Sequence, residues 1–256
     1  MLEKYFLKKG YYIFNIKPNL IRDLKSILLK EIKKKTKDNK NSELEYFHKK
    51  FKKKNINNLR IYLYKKINSN KKFKNLVYEI GKEILNELVG NELAMSSINL
   101  SIQYPKDSNS LLEMHTDFFS GESLFQVNLW IPFVDVNKTQ SMFIINPSAS
   151  ISILKKIKNN QRITFSEIQK KYKSKMEWLD LKFGQGLVFS PNCLHGNVIN
   201  KENIVRWSLN VRYKNIYSPY NSYINNEKKI GCFYKVFSPK IITKFNLKYK
   251  FDEFQK

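Results

Sequence analysis

The sequence is poor in the residues that staple a chain together. Among 256 residues there are two cysteines, Cys193 and Cys232, too few for a disulfide framework, and a reducing compartment is the simplest expectation. Long apolar runs are also missing, so no membrane span is expected, and Met1-Leu-Glu-Lys-Tyr-Phe6 has no signal-peptide core. We therefore expect a soluble, cytoplasmic protein. No internal repeat or low-complexity linker divides the chain, which is long enough to bury one sizeable core as a single domain. Acidic residues are few: 22 against 47 basic ones, a formal charge of +25. The excess is almost entirely lysine, spread end to end among many Asn and Ile residues, as an AT-rich genome would impose. No RNA-binding or helix-turn-helix signature accompanies it, and a general charge excess speaks to solubility rather than to a specific nucleic-acid partner. Arginine is scarce, limited to Arg22, Arg60, Arg162, Arg206 and Arg212, and histidine scarcer still, at His48, His115 and His195.

What is present divides into two textures. Tyr5 to Ile16 reads as a helix end, a glycine stop at Gly10 and a short strand, and Pro18 marks a turn. Leu20, Ile21, Leu24, Ile27, Leu28 and Ile32 then recur at helical spacing among lysines, predicting an amphipathic helix. Two or three further helices fill 43–89, the last from Phe73 to Val89 with Gly90 at its end. Residues 1–90 are thus a mostly helical elaboration. From 91 to 215 short strands with turns take over: Ala94 to Tyr104, Leu111 to Phe118, Leu124 to Val134, Ser141 to Asn146, Met176 to Lys182, Gly186 to Ser190 and Ile204 to Tyr213, and the apolar segment Leu187 to Gly196 also reads as one buried strand. Ile151 to Lys175 reads as a helical or irregular insertion. The tail, 216–256, gives no clear assignment. The fold class is mainly β with a helical N-terminal part.

The chemistry gathers at Glu113-Met-His115-Thr-Asp117. Read as a strand, His115 and Asp117 stand two apart and project to one side. His195 lies in the second buried segment. Two imidazoles and a carboxylate make the facial triad of non-haem Fe(II) sites, with positions left open for cosubstrate and oxygen. Each element alone has an ordinary reading, since His-x-Asp arises by chance and His195 could be a hydrogen-bonded core histidine. The combination is more telling. Beyond it, Arg206, Ser208, Asn210 and Arg212 alternate with Val205, Trp207, Leu209 and Val211, setting a polar face along one strand. Where lysine is the default cation, an arginine points to a need for the planar fork that binds carboxylates.

His115-Thr-Asp117, a distal His195, and Arg206 eleven positions later in Arg-x-Ser208 resemble the Fe(II)/2-oxoglutarate-dependent dioxygenases of the phytanoyl-CoA dioxygenase superfamily. Val127-Asn-Leu-Trp130-Ile-Pro-Phe133 and Gly184 to Gly196 resemble that family's Trp-containing and distal-histidine strands. The likeness covers Phe6 to Tyr213. His115-Thr-Asp-Phe-Phe-Ser-Gly-Glu-Ser123, Trp130-Ile-Pro132 and Ser141-Met-Phe-Ile144 are closer to the oxygenases of bacterial surface-carbohydrate gene clusters.

The resemblance implies a double-stranded β-helix (a jelly roll, cupin-like) with helices packed outside. It implies Fe(II) held by His115, Asp117 and His195, and 2-oxoglutarate whose distal carboxylate docks on Arg206 with help from Ser208. With O2 as oxidant, it implies hydroxylation of a small polar metabolite such as a sugar or glycosyl precursor. By strand parity, Gln103, Gln126, Asn128, Trp130, Asn210 and Arg212 are candidate cavity residues, with core packing the equal alternative for each. Asn146-Pro-Ser-Ala-Ser150 stands where many relatives have Pro-Gly-Ser-His, so the resemblance leaves the substrate open. Epimerisation, desaturation or ring formation on the same fold is one alternative, a non-catalytic sugar-binding barrel a second, and a basic nucleic-acid-binding protein a third. Halogenation is disfavoured, because Asp117 is present where halogenases of this kind usually replace the carboxylate.

Overall fold

The computed structural model describes residues 2–37, 43–159, 165–218 and 233–249. Helix α1 (Leu2–Lys9) ends at Gly10, and strand β1 (Tyr11–Asn15) follows. Helix α2 (Pro18–Thr36) starts with proline at its first turn, where the missing N–H costs nothing, and buries Ile21, Leu24, Leu28 and Ile32. The short α3 (Phe47–Lys50) leads to α4 (Ile56–Ser69) and α5 (Lys71–Val89). The Asn70 side chain caps α5 by accepting from the Phe73 N–H, one of the donors a helix start leaves unpaired. The α5 stripe of Phe73, Val77, Ile80 and Leu85 is buried, and the helix packs on the main sheet.

Strands β2 (Leu93–Met95), β3 (Asn99–Gln103), β4 (Gln126–Pro132) and β5 (Met142–Ile144) come next, followed by α6 (Pro147–Asn159) and α7 (Phe165–Lys171). Then come β6 (Glu177–Leu179), β7 (Gln185–Phe189), β8 (His195–Gly196), β9 (Arg206–Asn215), β10 (Lys235–Val236) and α8 (Ile241–Tyr249). All pairings are antiparallel. The larger sheet runs β1-β7-β4-β9-β2-β10, with β3 also on β9; the smaller runs β6-β5-β8. Thus β1, from the helical N-terminal part, supplies an edge strand of the main sheet.

Two strands carry most of the consequences. All seven residues of β4 are buried, and in β9 the apolar face of Trp207, Leu209, Val211 and Tyr213 is fully buried. Helices cover one face of the sheet, so the polar face of β9 is turned toward the smaller sheet rather than toward water. A second, smaller apolar cluster joins Met114, Phe143, Ile145 and Leu194 to Ile153 of α6 and Ile168 of α7. Met114 adjoins His115 and Leu194 adjoins His195, so α6 and α7 are a footing for the segments that carry both histidines. Replacing Ile153 with alanine should cost about 2–5 kcal/mol by leaving a cavity there, measured by denaturant unfolding.

Three strand expectations are corrected. Leu111 to Phe118 is not a strand: it is loop, with a single bridge at His115 and a 3-10 turn, Asp117–Ser120. Leu187 to Gly196 is not continuous, since β7 stops at Phe189 and a turn intervenes before β8. Ala94 to Tyr104 splits into β2 and β3 around Ser96, whose hydroxyl accepts from the Arg212 N–H and so takes over a ladder position. In the tail, β10 adds to β2, and Tyr234 is fully buried. Cys232 lies outside the described residues. Among the described residues no helix is long and apolar enough to cross a membrane.

Candidate metal centre

His115 and His195 are joined by a pair of backbone hydrogen bonds, His115 N–H to His195 O (2.9 Å) and the reverse (3.0 Å). This bridge attaches the 111–117 loop to the edge of the smaller sheet and sets the imidazole centroids 4.3 Å apart. Thr116 is extended, at φ −124° and ψ 145°, so the two-residue alternation that a strand would give holds locally without a strand. The Asp117 N–H donates to Pro191 O at 3.0 Å, tying its loop to the one before His195.

Two glycines permit this closeness. A Cβ on Gly196 would lie 2.9 Å from Leu112 O and 3.0 Å from Glu113 O, so the residue after His195 must be glycine for the two loops to touch. Gly10 has φ +79°, and a Cβ there would lie 2.7 Å from Cys193 Sγ, two residues before His195. Gly10→Ala should therefore destabilise the protein by about 1–3 kcal/mol through backbone strain, read as a lowered midpoint in urea.

Each imidazole is oriented by a backbone carbonyl: Nδ1 of His115 lies 2.7 Å from Glu113 O, and Nδ1 of His195 2.9 Å from Cys193 O. A carbonyl only accepts, so each Nδ1 carries the proton and each Nε2 is left as a donor atom. Both Nε2 atoms face Asp117 Oδ1, at 3.4 and 3.6 Å, and the ligand atoms of the three residues lie within 4.8 Å of one another. Three electron-rich atoms converging without a proton between them suit a divalent first-row cation. Electrostatics agree. Burial lowers the His195 pKa to about 4, with the charges of His115 and Arg212 adding to the effect against the opposing pull of Asp117. Burial disfavours the Asp117 carboxylate, but His115, His195 and Arg212 together outweigh it and hold its pKa well below the usual range. At neutral pH this gives a neutral His195 and an ionised Asp117.

A cavity of about 300 Å³ opens from these residues between the two sheets. Trp130, Asn210, Arg206 and Arg212 line it from the larger sheet, and Met142 and His195 from the smaller. Arg206 is buried; Nη1 donates to Gln140 O (3.0 Å) and Nη2 to Ser101 Oγ (3.3 Å), while Nε has no partner. Burial lowers its pKa to about 10, so it stays charged at neutral pH. Among the described residues no carboxylate pairs with it. Ser208 Oγ, two residues along, is also buried and without a partner, on the strand face between Arg206 and Asn210 but behind the cavity lining. A guanidinium with a spare donor, and a spare hydroxyl on the same face, fit an incoming carboxylate.

The structure thus gathers His115, Asp117, His195, Arg206, Trp130, Asn210 and Arg212 at one cavity. Asn128 is one layer removed, donating from Nδ2 to Asp117 Oδ2 at 3.3 Å. Gln126 and Gln103 are not cavity residues. Gln126 has the right parity but pairs with Lys214, beyond Arg212, where it hydrogen-bonds to Tyr234. Gln103 sits one step past Ser101 and donates to Val198 O. Parity fixes a face but not a position along it. Sequence reading missed Ser101 and Glu122; the turn glycine Gly121 (φ +77°) was the available signal for the latter.

No family profile and no curated protein matches the sequence. Solved structures do. The nickel complex of the non-haem monooxygenase ThoJ aligns over 98% of this chain and 95% of its own, at 14% identity and a TM-score of 0.59. The non-haem α-ketoglutarate-dependent carbocyclase SnoK of nogalamycin biosynthesis aligns over 83% and 82%, at 14% identity and 0.56. Iron-bound HygX from Streptomyces hygroscopicus aligns over 85% and 87%, at 10% identity and 0.56. At such identities the likeness is one of fold: helices packed on antiparallel sheets, as in these enzymes.

Proposed function

We propose that the chain is an Fe(II)- and 2-oxoglutarate-dependent oxygenase of the phytanoyl-CoA dioxygenase superfamily. In this reading its two sheets are the halves of one double-stranded β-helix, in a single domain. The observation that carries it is the conjunction of a His115-Asp117-His195 donor set with the buried, carboxylate-free guanidinium of Arg206 in the same cavity. Neither half alone would separate an oxygenase from a structural metal site.

His115, Asp117 and His195 would hold the iron, which with 2-oxoglutarate and O2 supplies an oxidation coupled to loss of CO2 and formation of succinate. The protein's own part is binding and orientation. Arg206 fixes the far carboxylate of the cosubstrate through its fork, assisted by Ser208. Trp130, Met142 and Phe189 give the cavity apolar walls that exclude water from the reacting atoms. Asn109 and Asn210 line it as well, Asn210 with an Oδ1 that has no partner, and such neutral hydrogen-bonding groups favour an uncharged polar substrate such as a sugar or glycosyl precursor. The sequence likeness to surface-carbohydrate oxygenases supports the same choice. Ring formation is a second outcome, favoured by the shared fold with the carbocyclase SnoK.

The test is succinate formation. Purified protein with Fe(II), 2-oxoglutarate and air, offered a panel of free and glycosidically linked sugars, should release succinate above a His115→Ala background. Iron and 2-oxoglutarate bound without any succinate would indicate a binding barrel instead.

A further inference from the structure

We propose that Arg212, steadied by Glu122, is a positioning residue that occupies one oxygen of Asp117 and so reserves the other for the metal. This rests on the metal reading above and extends it to residues outside the ligand set. The two oxygens of Asp117 have separate surroundings. Oδ1 faces both imidazole Nε2 atoms, at 3.4 and 3.6 Å. Oδ2 receives Arg212 Nε at 2.9 Å, Arg212 Nη2 at 2.7 Å and Asn128 Nδ2 at 3.3 Å. An arginine fork commonly spans both oxygens of a carboxylate, with two parallel bonds. Here both guanidinium donors converge on one oxygen, and the other is left clear. For Asp117 to chelate a metal through both oxygens, these charge-assisted bonds would have to break.

The fork is itself held. Ser96 clamps the backbone at Arg212 from both sides, its hydroxyl accepting from the Arg212 N–H (3.0 Å) and its N–H donating to Arg212 O (2.9 Å). Glu122, almost fully buried, places Oε1 3.7 Å from Arg212 Nε. The turn at Gly121 returns the chain so that the Glu122 N–H reaches Asp117 O at 3.4 Å, bringing the second carboxylate back beside the first. Tyr234, from the tail, lies with its hydroxyl 3.0 Å from Glu122 Oε2. Arg212 thus sits between two carboxylates. Its Nε and Nη2 are engaged in orienting Asp117, while the side chain also borders the cavity.

The test uses Co(II) alone as a spectroscopic probe, titrated into wild type, Arg212→Lys and Glu122→Gln, with circular dichroism to confirm folding. Arg212→Lys keeps the charge and loses the fork. It should bind Co(II) about tenfold to a hundredfold more weakly. Its visible band should lose intensity as Asp117 turns to chelate and the coordination number rises, a signature that mere packing would not move. Glu122→Gln should shift both readings in the same direction by less, and it keeps the proposal testable if Arg212→Lys does not fold. A wild-type affinity and band in both variants would overturn the proposal and leave the metal reading intact. No Co(II) binding by the wild type would overturn both.

Discussion

His115→Ala abolishes metal binding and leaves the fold nearly as stable as before; Asp117→Ala abolishes binding and weakens the fold as well. This is the expected pair of results, and the difference between the variants is the informative part. Loss of an outer hydrogen-bond partner costs about tenfold to a hundredfold in metal affinity, and loss of one of three donors should exceed that. His115 is only partly buried, with a side-chain exposure of 26%, and its removal strands no buried charge. Asp117 differs because Arg212 leans on it at 2.7 Å. Truncating one member of a buried ion pair typically costs about 3–5 kcal/mol, since the other charge is left uncompensated. Glu122 at 3.7 Å softens that loss, so the lower end of the range is expected. Metal titration and urea unfolding of the two variants, side by side, check both statements.

Arg206 should show the reverse relation between function and stability. Its guanidinium is buried without an acidic partner among the described residues and with Nε unpaired, so the protein bears a desolvation cost there when no carboxylate is bound. Arg206→Met removes that cost and fills much the same volume. We expect the variant to unfold at a temperature equal to or above that of the wild type. It should also lose 2-oxoglutarate binding by about 2–5 kcal/mol, the usual penalty for truncating one side of a buried charged pair, which is roughly thirtyfold to several thousandfold. Arg206→Lys should fall between, retaining charge without the fork. The measurement is the shift in unfolding temperature on adding 2-oxoglutarate, which binding to the folded state raises in the wild type. A shift persisting undiminished in Arg206→Met would show that the carboxylate docks elsewhere.

Much of this site was legible in the sequence because β9 and β4 keep strict two-residue alternation. Arg206, Asn210, Arg212 and Trp130 could be assigned to one face, and the register Asn128↔Arg212 and Trp130↔Asn210 places them there together. The helical part was legible for a similar reason, as the spacing of Ile21, Leu24, Leu28 and Ile32 admits only a helix with one buried face. The illegible parts depend on loops. His115 and Asp117 were paired correctly on the wrong premise: a lone bridge and one extended residue, Thr116, do what a strand was expected to do. The role of Arg212 could not be read from parity, since it depends on the turn at Gly121 carrying Glu122 back to Asp117. Ile151 to Lys175 read only as a helical or irregular insertion, with no place in the fold. Its packing instead makes α6 and α7 a support for the segments that bear both histidines.

The measurement that bears most directly on the central claim is an anaerobic titration of the protein with Fe(II) and 2-oxoglutarate, following the weak visible charge-transfer band of the iron chelate. The predicted result is a band that saturates with both components in the wild type and is absent in His115→Ala. Iron bound in the wild type with no band on adding 2-oxoglutarate would contradict it, leaving a metal-binding barrel whose Arg206 serves something other than the cosubstrate.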